Sequence, residues 1–261
     1  MIVYDELIKT TETVLANYPQ KHLKVNPDVQ WNLLKSNEYL MNKEVAFELG
    51  ERFKPCTTYN LATGDKELVG EDDIILIGKD LPELKENTNF TRIALFNIDD
   101  EKDQNRTYLA IKKLDYERYK IIPEGYMILS SSFEQKENIR VSKKAIKNGL
   151  NFEILGNIYI NHYKKMEGVN NVKMIFITGE YPMIPDLCDL AKKTNEITEA
   201  FDHVLKNVIL DCEVCPLKTI CNDIEALREE HFKKLEEQKR SEAEKKALLK
   251  AQKKQGWFRS K

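Results

Sequence analysis

Residues 171–179 read NVKMIFITG. Apolar side chains fill Val172 and Met174 through Ile177, most of them β-branched or aromatic, and a glycine ends the run. It is too short for an ordinary helix and rich in strand formers, so it predicts a core strand. Downstream, Pro185 and Asp186 open a long helical pattern through LCDLAKKTNEITEAFDHVLKNV (187–208), proline being suited to the first helical turn. Upstream, ILGNIYINHYKKM (154–166) predicts a helix, although its Ile and Tyr content would also suit a strand.

The same mixture extends toward the N-terminus. Strands are predicted at VAFELG (45–50), at Ile74–Ile77 within DDIILIGKDL, at TRIALFNID (91–99) and at YMILSSS (126–132). Gly64-Asp65 reads as a turn and DDEKDQNR (99–106) as a polar loop, and YLAIKKLDYERYKI (108–121) has helical period. Ser142 is placed to cap the helix SKKAIKNG, which Gly149 closes. Two helices are expected before these elements. One spans Tyr4–Leu15; the other starts at Asn26 as N-cap with Pro27 behind it and turns Trp31, Leu34 and Leu40 toward the core. Strands and helices in mixed order, without regular βαβ repetition, predict an α+β fold: a mixed sheet covered by helices, with an N-terminal helical segment and a long C-terminal helix. The expected division is 1–40 helical segment, 41–208 α+β domain, 209–224 cysteine loop and 225–261 charged tail.

The chain has 261 residues, enough for a sizeable core, and 41% apolar against 32% charged residues marks a soluble type of surface. No apolar run approaches a membrane span, and MIVYDELIKTTETVL lacks the basic and apolar halves of a signal peptide. The expected compartment is the cytoplasm, where thiols stay reduced. Residues 225–261 carry 12 Lys/Arg against 7 Asp/Glu, leaving 29 against 36 elsewhere. An acidic body with a basic tail argues against a nucleic-acid binder. The tail is built of strong helix formers with many Glu/Lys pairs one turn apart, as in a solvated helix. There is no P-loop and no G-x-G-x-x-G, and Ser130–Ser132 has no nucleophile pattern around it. Trp31 reads as a core residue, and His22 and His162 as surface or boundary residues.

Function concentrates in DCEVCPLKTIC (211–221). Thiolates at C-x2-C spacing point at one centre, and a third, Cys221, can close the far side once Pro216 stiffens the wrap. Cys212, Cys215 and Cys221 suit an iron-sulfur cluster or zinc, both of which take thiolate ligands. Cys56, Cys188, His203 or His231 could supply a fourth ligand, or a partner could. Cys188, flanked by leucines, equally reads as a small buried apolar residue. A disulfide framework and a thioredoxin-like redox pair fit the spacing less well, and bare thiols would be reactive.

The order VAFELG, DDIILIGKDLPEL, NIRVSKKAIKNGLNFEILGNIYINHYKK and NVKMIFITG resembles the middle region of acetyl-CoA synthase, the catalytic subunit of the carbon monoxide dehydrogenase/acetyl-CoA synthase system, over roughly residues 40–222. The resemblance implies a [4Fe-4S] cluster bridged by a cysteine to a dinuclear nickel site that joins CO, coenzyme A and a methyl group from a corrinoid protein. By position Cys212 and Cys215 are similar to the first two cluster cysteines, Cys215 to the bridging one, and Cys221 to the third at shorter spacing. The sequence departs from the family in having no cysteine after Cys221 and no Cys-Gly-Cys nickel chelate. The expectation is therefore an accessory protein of anaerobic one-carbon metabolism, handling metal or electrons or docking with a corrinoid or methyl-transfer protein, with the nickel ligands absent. The alternative is a zinc-stabilised protein-binding module without catalysis.

Overall fold

The strand predicted at residues 171–179 lies at the centre of a five-stranded sheet. A computed structural model describes residues 4–36, 38–50, 57–99, 104–131 and 136–205, together with Lys233, Glu236, Glu237, Arg240, Ser241 and Lys245. The elements in order are α1 (Asp5–Leu15), β1 (Lys21–Leu23), β2 (Val45–Leu49), β3 (Thr57–Thr63), α2 (Lys66–Val69), β4 (Asp73–Ile77), β5 (Phe90–Ile98), α3 (Gln104–Glu117), β6 (Tyr126–Ser131), β7 (Glu137–Ser142), α4 (Lys143–Lys147), α5 (Phe152–Tyr163), β8 (Val169–Thr178) and α6 (Ile184–Leu205). The sheet order is β1-β4-β8-β5-β3, and a second sheet runs β2-β7-β6. In the first, β3 and β4 pair parallel with β5 and β8, whereas β5 with β8 and β1 with β4 are antiparallel. The second sheet is antiparallel throughout. This is an α+β fold with a mixed sheet.

All nine residues of β5 and all seven of β3 are buried, which requires cover on both faces of the sheet. Cross-strand register puts Asn60, Arg92 and Phe176 on one face and Tyr59, Ile93 and Lys173 on the other. The first face is packed by α5: Phe152 stacks on Phe176 with ring centroids 4.8 Å apart, and Phe96 meets Tyr163 edge-on at 4.7 Å, geometries favoured by aromatic quadrupoles. Gly156 lets α5 approach β4, for a Cβ there would lie 2.7–2.8 Å from three side-chain atoms of Ile74. On the second face α1 bonds Thr11 to Tyr59 at 3.1 Å and Glu12 to Lys173 at 2.8 Å.

Local chemistry fixes the element ends. Ser142 accepts from the Lys144 amide (3.1 Å) and Asn151 from that of Ile154 (2.8 Å), capping α4 and α5. The helix expected from Asn26 does not form. The Asn26 side chain accepts from the Asp28 amide two residues on (3.0 Å), a local turn. Asn157 and Asn161 of α5 then hold the Lys24 and Pro27 carbonyls at 2.8 and 3.0 Å. Further on, Leu33 bridges Pro123 in the antiparallel sense, and the described residues from there to Leu40 include no helix.

The molecule comprises two compact units, Met1–Asn195 and Glu196–Lys261. The first 40 residues thus belong with the α+β unit, β1 completing its main sheet. Among the described residues no helix is long and apolar enough to cross a membrane.

Candidate functional site

Of the predicted metal ligands, Cys212, Cys215, Cys221, Cys56 and His231 lie outside the described residues, as does the side chain of His203. Cys188 is described. It is a half-buried free thiol in α6 whose pKa is pushed up chiefly by burial. No group of three metal-ligating side chains occurs among the described residues. His22 is exposed and bonded to Asp73 (2.9 Å), and half-buried His162 is bonded to Glu117 (3.0 Å), in keeping with surface and boundary positions.

Two other constellations stand out. The first is ionic and internal. Arg92 of β5, fully buried, donates through Nε and Nη2 to the two carboxylate oxygens of Glu137 in β7, at 3.1 and 2.8 Å. Arg118 approaches the same carboxylate at 3.6 Å, and Asn60 links the cluster to Asp115 at 2.8 Å. The Arg92 guanidinium also lies 5.4 Å from the Tyr159 ring centre. Burial alone would raise the Glu137 pKa, but the charge and hydrogen bonds of Arg92, with help from Arg118, hold it below the ordinary carboxylate value. Tyr126 and Tyr163 bury their hydroxyls beside this cluster with no hydrogen-bond partner among the described residues, and burial drives both phenols upward, Tyr126 well above its ordinary value. The arrangement ties the two sheets together through side chains that are almost wholly shielded from solvent, Arg92 at 0% and Glu137 at 3% exposure.

The second constellation is open to solvent. A cleft of about 470 Å³ lies between the loop Gln30–Asn32, Glu38, the turn Glu124–Gly125, and the Ser142–Asn148 stretch around α4, a size ordinary for small-molecule sites. The half-exposed indole of Trp31 donates from Nε1 to the Glu124 carbonyl at 3.1 Å. The Glu124 carboxylate takes Asn32 Nδ2 on one oxygen (2.8 Å) and Lys144 Nζ on the other (3.2 Å), and these two partners hold its pKa down. The Gly125 amide donates to Glu38 Oε2 at 2.9 Å. Gly125 has φ +78°, and a Cβ there would sit 2.4 Å from that of Ala145, so the close wall of the cleft requires glycine.

Trp31 is thus a cleft residue rather than a core residue, because the segment that carries it is an irregular loop instead of a helix. Arg92 left a trace in the sequence, a lone charge inside the apolar run TRIALFNI, whereas Glu137 stands among other polar residues and left none. Glu124 and Glu38 are ordinary loop acids until the fold sets them around one turn. Compared with known proteins, the chain matches no family model and no curated protein.

Proposed function

We propose that the chain is an acetyl-CoA synthase-like protein of anaerobic one-carbon metabolism that carries a [4Fe-4S] cluster on Cys212, Cys215 and Cys221 and acts in the cytoplasm as an accessory component. The observation that carries this reading is the sequence C-x2-C-P-x4-C, three thiols within ten residues. The donor set fits the cofactor: three thiolates occupy three corners of a cubane and leave one for Cys56, Cys188, His203, His231 or a partner. Further support comes from the quoted stretches, whose order resembles that in acetyl-CoA synthase and which take in β2, β4, α4, α5 and most of β8. When bound, such a cluster would supply one-electron transfer or a bridge to a second metal. The chain's own contribution would be to hold it and to present a surface to a corrinoid or methyl-transfer protein. The missing Cys-Gly-Cys chelate argues against acetyl-CoA synthesis by this chain alone.

Anaerobic purification followed by iron, sulfide, nickel and zinc analysis, with absorbance near the cluster charge-transfer band, tests the reading. Iron and acid-labile sulfide in equal amounts support it. Stoichiometric zinc instead would assign a structural loop and a binding module, and a colourless, metal-free protein after reconstitution would rule out both.

A further inference from the structure

We infer that the cleft beside Glu124 is a binding site for a small organic cation, an alkyl ammonium or guanidinium, held between the Trp31 indole and the Glu38 carboxylate. This inference is independent of the cysteine loop and would stand if that loop held no metal.

The argument begins with what the cleft has already used. Glu124 and Lys144 neutralise each other, with Asn32 taking the other oxygen of the carboxylate. The indole has one polar atom, and it is engaged by the Glu124 carbonyl. What Trp31 still offers is carbon surface and a π-face. Glu38 spends Oε2 on the Gly125 amide; among the described residues no donor reaches its other oxygen, and the side chain is half-exposed. The charge left uncompensated around the cleft is therefore one carboxylate, and the Trp31 indole lines the same cleft.

Geometry keeps these two groups together. Trp31 and Glu38 bond to the carbonyl oxygen and the amide nitrogen of one peptide unit, Glu124–Gly125, at 3.1 and 2.9 Å. In a trans peptide the carbonyl and the N–H point to opposite edges, so the indole and the carboxylate flank the turn, with the indole nitrogen and the carboxylate oxygen no more than about 8 Å apart. A cation within about 6 Å of the ring centre can reach a carboxylate oxygen at that spacing. An anion would meet uncompensated Glu38, and an uncharged polyol would leave that carboxylate without a counter-charge.

The chain has two tryptophans, so in a Trp257→Phe background the emission reports Trp31 alone. Titration of the full-length protein with agmatine should give a saturable change with Kd below about 1 mM, confirmed by calorimetry, whereas myo-inositol at equal concentration should give none. Glu38→Gln keeps an oxygen for the Gly125 amide and should fold normally by circular dichroism, yet bind agmatine at least about tenfold more weakly. No heat and no emission change with agmatine would overturn the inference. So would equal binding by Glu38→Gln, or saturation by inositol, which would assign a polyol site. Normal iron content in Glu38→Gln would separate this outcome from the fate of the cysteine loop.

Discussion

Arg92 and Glu137, 45 residues apart and on different sheets, join through two hydrogen bonds with neither side chain reaching solvent. Such a pair contributes less through its own attraction than through the cost of breaking it, since either partner left alone is a buried charge. It also fixes how β7 lies on the face of β5, because the two-pronged geometry tolerates little slip.

Arg92→Met should therefore destabilise the protein by about 3–5 kcal/mol in urea unfolding. Arg118, 3.6 Å from the same carboxylate, should keep the loss toward the lower end. The double variant Arg92→Met, Glu137→Leu should recover at least half of it, because no buried acid then remains unpaired. A double variant as unstable as the single one would show that the charges do more than compensate each other.

Acid should weaken the fold partly through this pair. The Glu137 pKa is held below 4.5 in the folded chain, so its contribution is complete above that value and disappears as pH falls through the lower folded value. Asp115 has the opposite sign: burial, only partly offset by Arg118 and Asn60, raises its pKa above 3.8. Its ionisation therefore works against folding as pH rises through that raised value. Stability measured from pH 3 to 7 should fall less steeply toward acid in Glu137→Gln than in the native chain. Asp115→Asn, which keeps an oxygen for Asn60, should gain on the native chain as pH rises.

Much of this architecture was legible because its elements are periodic or continuously apolar. NVKMIFITG, TRIALFNI and DDIILI could be little else, and Ser142, Pro185 and Gly149 punctuate the helices α4 and α6. β3 was not legible: TTYNLAT is more than half polar, and it is buried because Tyr59, Asn60 and Thr63 find partners at Thr11, Asp115 and Asp5. The false helix at Asn26 has the same origin. Its cap and stripe are locally sound, but Asn157 and Asn161, more than a hundred residues away, hold that backbone in another shape. Partners from distant sequence also made the cleft, so Trp31 and Glu38 had no visible relation. The cysteine loop stood out for the opposite reason, since its spacing is entirely local.

The turn that holds the cleft together can be tested through its glycine. Gly125 and Gly70 share a φ of +78°, yet a Cβ at Gly70 would meet nothing within 4 Å, whereas at Gly125 it would collide with Ala145. Gly70→Ala should cost about 1–3 kcal/mol from backbone strain alone, because its φ of +78° and ψ of -150° fall in a region that is essentially confined to glycine. Gly125→Ala should cost about 1–3 kcal/mol more, through overpacking, and should shift Trp31 emission in the Trp257→Phe background. Equal losses in the two variants would mean that the turn moves aside freely.

The cysteines divide into a group of three and the rest, and substitution should separate them. Cys212→Ser, Cys215→Ser and Cys221→Ser should each remove most of the iron and the visible absorbance, because a cubane held by three protein sulfurs has none to spare. Cys188→Ala should keep both. Its thiol is half-buried and held toward the neutral form chiefly by burial, with Lys136, Lys192 and Asp189 among its electrostatic neighbours in the described residues; a neutral thiol is a poor ligand. The small side chain lost from α6 should cost about 1 kcal/mol or less, given its partial exposure. Iron analysis with thermal unfolding on the same samples reads both effects. Loss of iron from Cys188→Ala at unchanged fold would make this thiol the fourth ligand and leave no corner for a partner.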